Sequence, residues 1–588
     1  MKHILFLPLL LIALNISGQS RLTPYDLLPG INKNYKPAFE NDFPEWAQML
    51  YIYPVNYHKI CSEFDKFIRT HPDTKSPVIR YFKIWRKVIE AYTNEEGEIL
   101  LPEAWQHEKN QEVISEDSDS GEIENYKNHN KWVFLGPKET FWLNESNSVY
   151  NSKPCPWQVN VYSFDVAGDD HQILYAGTET GFVNKSIDKG LNWIQTGQEY
   201  VFGGGITATV IHPFDHNIVY IAAGKQIHKT TDGGEHWNPL LSTLRFNADR
   251  LIIHPTNPDK LIAAGEDGLY VSTNAGQSWT TQSLLPAFDV EFKPDNANVI
   301  YALTQISGNF SLLLSTDGGL SFQTDQSFPM NFKESSGGLL AVTKANPSRI
   351  LAVLLSSNNT PFLLQGTYAE NGSSWKTLAT GRTSAFPMDN GQGFYDLALE
   401  ISPVNENIIL VGTTTLYKSL NGGNTFTAIG GYAGNFSIHP DIQEIKMLAN
   451  GETWVATDGG MNLTTDNFTL QSNYHVRIKN LIGSDFWGFD QGWNEDIAVG
   501  GRYHNGNTAI TDFYGDKSLR MGGAESPTGW VLKGKSRHVV FDDLGNGWVL
   551  PKDVTQRPEG RFIFSKYPNM DEYGGRRGNL LHHPNYFG

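Results

Sequence analysis

One short pattern returns along most of this chain and limits what it can fold into: Ser/Thr-x-Asp/Asn-x-Gly-x-Ser/Thr/Asn-Trp/Phe. Full copies run from Ser186 to Trp193, Thr230 to Trp237 and Ser272 to Trp279. Ser315 to Phe322 and Ser419 to Phe426 are looser, Asn371 to Trp375 is decayed, and Thr464 to Phe468 is shortened. The closing aromatics stand at 193, 237, 279, 322, 375, 426 and 468, separated by 44, 42, 43, 53, 51 and 42 residues. That period is the length of one four-stranded propeller blade. Ahead of each copy lies an apolar stretch ending near Gly, often introduced by His-Pro as at His212-Pro213 and His254-Pro255. The fold expected is therefore all-β, a multi-bladed β-propeller of four-stranded blades with a hairpin motif in each. The two long spacings flank the decayed copy and place extra loops there, such as Gly381 to Tyr395. Inserted loops of this kind shape binding faces.

The motif's own chemistry is local. An Asp or Asn in a tight hairpin accepts N–H bonds from the residues that follow, Gly supplies the positive φ of the turn, and the aromatic packs under a neighbouring strand. Asp188, Asp232, Asn274, Asp317, Asn421 and Asp466 are thus read as structural, because equivalent side chains spread around a ring cannot converge on one substrate.

Composition agrees with short strands and tight turns: 56 Gly, 12% aromatic and only 19% charged residues in 588. The net charge of −17 repels phosphate backbones and anionic lipid, so neither nucleic acid nor a membrane surface is an expected partner. Residues 1–19 begin with Lys2 and His3, continue through the apolar run Ile4 to Ile16, and end on Ser17 and Gly18, the plan of a secretory signal peptide. The run is shorter than the ~20 residues of a membrane span, and no later segment reaches that length. The protein is expected to be secreted or on the cell surface, without membrane insertion. Cys61 and Cys155 fall in different segments and are expected to be buried free thiols.

Between Asn41 and Tyr92 the periodicity changes. Tyr57, Ile60, Phe64, Phe67 and Ile68, then Tyr81, Trp85, Val88, Ile89 and Tyr92, recur at helical spacing and predict two amphipathic helices joined by the proline-containing turn Thr70 to Pro77. From His107 to Lys131 aromatics nearly vanish and acidic residues gather, the composition of a linker. The domain reading is a signal peptide at 1–19, a helical module at 20–106, an acidic linker at 107–131 and the propeller at 132–588.

The repeated motifs resemble the Asp-boxes (BNR repeats) of the superfamily that holds sialidases, xyloglucanase-type and sortilin-type propellers. Tyr175 to Val183, Ala456 to Met461 and Gly500 to Gly506 resemble stretches of exported sortilin/xyloglucanase-like proteins, in many of which the last stretch reads Gly-Gly-x-Gln-Asp-Asn-Gly. The resemblance implies a helical extension like Phe43 to Ala47 and a type IX sorting domain. No sorting domain is read here. The sequence closes on Leu581 to Gly588, which looks like the opening of another blade, so the propeller is expected to be incomplete at its C-terminus.

For chemistry, the Phe/Tyr-Arg-Ile-Pro element of sialidases does not precede the first motif. The xyloglucanase resemblance implies a pair of carboxylates, and Glu179 stands where the first catalytic Asp falls; Asp458, in Thr457-Asp458-Gly459-Gly460, repeats that blade position. Tyr503 and His504 replace Gln-Asp of the relatives, and with Trp493 they are candidate ligand-binding residues. Trp487 and Trp530 are further aromatics able to stack on sugars. No zinc, Walker or nucleophile-elbow motif is present, and neither a metal nor a cofactor is read. The expected function is binding of an extracellular glycan or protein, a secretion-system or surface component among them, through the face loops. The alternative is a xyloglucanase-like glycoside hydrolase.

Overall fold

A computed structural model describes residues 22–100 and 134–563 apart from short interior stretches, the longest being 143–153, with backbone alone beyond residue 521. The expected leader, the acidic linker, Trp493 and the closing stretch 581–588 lie outside the described residues. The chain divides into two compact units, residues 1–133 and 134–588. No helix among the described residues is long and apolar enough to cross a membrane.

In the first unit the helical periodicity becomes α1 (Glu45–Met49), α2 (Tyr57–Thr70) and α3 (Pro77–Ile89). Asn56 caps α2 by accepting from the Lys59 amide, and Ser76 caps α3 by accepting from Ile79, with Pro77 at the first helical position, where its missing N–H costs nothing. The apolar stripes of α2 and α3 enclose Trp46 of α1, with Phe64 and Phe82 rings 4.4 Å apart. Beside this core Asp26 is fully buried and accepts from the Thr23 amide and hydroxyl, the Tyr81 hydroxyl and, at 2.6 Å, the Lys36 ammonium.

In the second unit seven antiparallel four-stranded sheets follow one another in chain order. Blade 1 consists of Val161–Val166, Leu174–Thr178, Val183–Ser186 and Ile194–Thr196. Blades 2 to 7 occupy 208–239, 250–283, 287–324, 334–380, 398–431 and 442–477. The apolar second strands are near-continuous hydrophobic runs because both faces are covered. In blade 3, Leu261 and Ala263 enter the core shared with blade 2, while Ile262 and Ala264 enter the core shared with blade 4. Each neighbouring pair encloses such a core, and the last one joins Trp454, Ala456 and Leu463 of blade 7 to Val161, Phe164 and Trp193 of blade 1. The ring is therefore closed at seven blades.

The repeated turns show how their residues act. In the first, Ser186 Oγ donates to Asp188 Oδ1 at 2.9 Å, the Gly190 amide donates to Ser186 Oγ, and the Asn192 amide donates to Asp188 Oδ1 at 2.9 Å. The same three bonds recur around Asp232, Asn274, Asp317 and Asn421. The turn around Asp466 is a residue shorter and closes through Phe468 and Thr469. The closing aromatics cover the preceding blade: Trp237 Nε1 donates to Thr196 of blade 1, and Trp193 Nε1 to the Arg477 carbonyl of blade 7.

Acidic side chains of the innermost strands tie blades together along the central channel. Asp165 of blade 1 accepts from the Ile211 amide of blade 2, Asp289 of blade 4 from Leu340 of blade 5, and Glu444 of blade 7 from Phe164 of blade 1. Lys446 pairs with Asp165, and Arg250 lies 3.4 Å from Asp289. Outside the ring, Phe486–Gln491, Ala498–Arg502, Gly506–Ile510 and Ser518–Gly522 form a further sheet, which Thr140–Phe141 joins in parallel. A four-stranded sheet over 528–563 follows it. Both free cysteines are buried.

Candidate functional site

In an antiparallel sheet the first strand begins at the edge where the second ends. Residues just before first strands and just after second strands therefore meet on one face of the ring. Asn160 and Asp441 precede the first strands of blades 1 and 7; Glu179 and Asp458 follow the second strands of the same two blades. Tyr395 and Asp396 arrive from blade 6 on a single 3-10 turn, Gly393–Asp396, at the end of the long insertion. The hairpin between Ala498–Arg502 and Gly506–Ile510 brings Tyr503 and His504 onto the same place.

That hairpin is held firmly. Asn505 Nδ2 donates to the Asp458 carbonyl at 2.8 Å, and His439 Nε2 lies 3.1 Å from the His504 carbonyl. Arg502 is fully buried, donates to Thr140 Oγ1, and has its pKa lowered to about 9 by burial and by Arg520. His504 and Asp441 hold left-handed backbone, with φ of 61° and 65°, a conformation non-glycine residues keep at a cost of about 1 kcal/mol or more. Gly459, beside Asp458, admits no side chain, since a Cβ would lie 1.8 Å from the Pro156 carbonyl oxygen.

The sequence-predicted residues Glu179, Asp458 and His504 are thus brought together. His504 Nδ1 lies 3.0 Å from Asp458 Oδ2, and its Nε2 lies 3.7 Å from Glu179 Oε2. Tyr395, which sequence reasoning missed, completes the group: its hydroxyl is 3.1 Å from both Asp458 Oδ2 and His504 Nε2. Asn160 Nδ2 donates to Tyr395 Oη at 2.8 Å and to Glu179 Oε2 at 3.2 Å, while the Tyr162 hydroxyl donates to Glu179 Oε1 at 3.0 Å. Gln443 donates to Asp458 Oδ1 at 2.7 Å.

Burial divides the two carboxylates. Asp458 is fully buried and its pKa is pushed well above the usual carboxylate range by desolvation, against the opposing pull of His504. The Glu179 side chain keeps 24% of its surface exposed. Burial also raises Tyr162 and Tyr395, which stay protonated. Asp396 is fully buried and pushed up to about 8, first by burial and then by the charge of Asp441.

An inverting glycosidase needs its two carboxyl groups about 6.5–9.5 Å apart with room for a water between them. Here the imidazole of His504 stands between Glu179 and Asp458, within 3.7 Å of one and 3.0 Å of the other. Tyr503 stacks on Trp487, with centroids 4.5 Å apart and planes at 5°, and its ring lies 3.7 Å from that of His504. Trp487 and Phe489 are 56% and 61% exposed.

A family model described as Sortilin-Vps10 (sortilin, neurotensin receptor 3) matches residues 182–282. The solved structure of an ancestral GH74 enzyme is similar at 17% identity with a TM-score of 0.51, over 68% of this chain. The fold is of the sortilin/xyloglucanase-like propeller kind. The propeller chain spans 61% of the length of that enzyme. The GH74 xyloglucanase from Xanthomonas campestris aligns at 13% identity over 70% of this chain and 80% of its own, with a TM-score of 0.46. The extracellular domain of a hybrid two-component system from B. thetaiotaomicron aligns at 14% identity over 71% and 53%, with a TM-score of 0.39. No curated protein matches the chain.

Proposed function

We propose that this is an exported propeller that binds an extracellular polysaccharide on the face carrying Glu179 and His504, and does not cleave it. The observation that carries this reading is the His504 imidazole lodged between the two carboxylates, where a hydrolase keeps its water. Asp458 adds to it, since a fully buried carboxyl with donors on both oxygens reaches no substrate. Beside this group the stacked Trp487 and Tyr503 offer flat apolar rings for sugar faces, and the partly exposed Glu179 offers acceptors for sugar hydroxyls. Export rests on the leader plan of residues 1–19.

Affinity electrophoresis of the mature chain in gels containing soluble plant and microbial polysaccharides tests the binding surface. Retardation by at least one polymer, weakened about tenfold or more in Trp487→Ala and unaffected by Trp237→Phe, is the expected result. Retardation equal in Trp487→Ala and wild type removes the aromatic shelf from the binding site.

A further inference from the structure

Asp458 and His504 of this face also belong to a buried group with Asp396 and Asp441, two carboxylates that the binding reading leaves unused. Asp396, Asp441, Asp458 and His504 are 0%, 3%, 0% and 5% exposed. Ligand atoms of Asp441, Asp458 and His504 all lie within 4.8 Å of one another. Gln443 donates to Asp458, and Gln392 donates to Asp441 at 3.1 Å, so amide partners fix both carboxylates. Asp396 differs. Its carboxyl lies beside that of Asp441, and among the described residues neither of its oxygens has a donor at hydrogen-bonding geometry. A buried carboxylate without a donor is strongly destabilising unless a proton or a cation meets it.

We propose that Asp396, Asp441, Asp458 and His504 form a buried site for one divalent transition-series cation, Mn²⁺ or Zn²⁺. Three carboxylates and one imidazole supply four ligands and three negative charges. The nitrogen among them favours this class over Ca²⁺, which gathers six to eight oxygens. Two features of the site agree. The left-handed backbone at Asp441 and His504 holds those two side chains in the cluster, as strained residues at ligand sites do. The cluster also draws from three elements, the blade 6 insertion, blade 7 and the hairpin of the outer sheet, so an ion there clamps the outer sheet to the ring.

Metal content and thermal unfolding of the mature chain test this independently of any glycan. The protein purified without chelator is expected to carry close to one equivalent of Mn²⁺ or Zn²⁺ by plasma mass spectrometry. After chelation, adding Mn²⁺ or Zn²⁺ raises the Tm by several degrees, and Ca²⁺ at equal concentration does not. Asp396→Asn removes the unmet charge, so in chelator it unfolds at or above the wild-type temperature, and it loses the response to metal. His504→Gln weakens the response at least tenfold in metal concentration. A wild type that carries no ion and responds to none of the three cations overturns the site, as does an equal response in Asp396→Asn. A response to Ca²⁺ alone overturns the choice of ion.

Discussion

Aspartates do opposite things in two regions of this propeller. In the repeated turns at the ring's edge, Asp232 and Asp317 accept bonds from residues within four positions in sequence, and those donors hold both carboxyls down to about 2. At the face where blades 6, 7 and 1 meet, Asp396 and Asp458 are buried, and desolvation raises both. Asp458's partners come from 15, 46 and 63 residues away. The first kind of Asp builds its own surroundings. The second is held in place by the closed ring, and its charge is strained by the same closure.

The largest effect expected of a single change lies in the second region. Asp458→Ala strips the acceptor from Gln443, Tyr395 and His504 together. At about 1–3 kcal/mol for each buried group left unmet, urea unfolding in chelator should show a loss of about 3 kcal/mol or more. Asp458→Asn, which copies the neutral form that burial favours, should cost less than half as much.

Titration separates the two regions next. Glu444 and Glu400 of the channel are raised to about 7 and about 8, chiefly by burial. A carboxyl raised in the folded state contributes stability that is fully present below its unfolded pKa of about 4.5 and is lost as pH rises through the folded value. His439, lowered to about 3 by burial, acts in the other sense: its contribution is present above about 6.5 and lost as pH falls below that. From pH 6.5 to 8 only the carboxyls act, so the Tm should fall across this window, and Glu400→Gln with Glu444→Gln should flatten the fall. The turn carboxylates lose their contribution only below about pH 4, as they protonate.

Single turn substitutions come after these. Asp317→Ala removes the acceptor for Ser315 and Ser321 at an exposed edge and should cost about 1 kcal/mol by calorimetry. The smallest effect is Asn274→Asp. Ser272 and the Ser278 amide keep their acceptor and Ser278 Oγ turns from acceptor to donor, so a change within about 0.5 kcal/mol is expected.

The same contrast explains what the sequence could tell. The turn chemistry is written within a few residues, so the blade period and the closing aromatics could be read directly, and the four-stranded sheets follow from them. Glu179 and Asp458 were legible through the matching position they hold in two blades. Tyr395, Asp396, Asp441, Asn160 and Gln443 were not. They enter the face from the start of first strands or from the insertion, and only ring closure brings them beside His504. A signal did exist: aligning the repeats on their first strands places Asn160 and Asp441 at one position, directly before the strand. The closure itself, seven blades with the 486–522 sheet outside, was beyond periodicity, because a repeat count does not say which blade meets the first.

The claim that the face binds without cleaving is tested most directly by measuring binding and product release together on a polysaccharide array, with the mature chain and Glu179→Gln side by side. Binding by the wild type with no released sugar, and weakened or equal binding by Glu179→Gln, is the predicted result. Product release by the wild type that disappears in Glu179→Gln would contradict it and make Glu179 the carboxylate of a hydrolase.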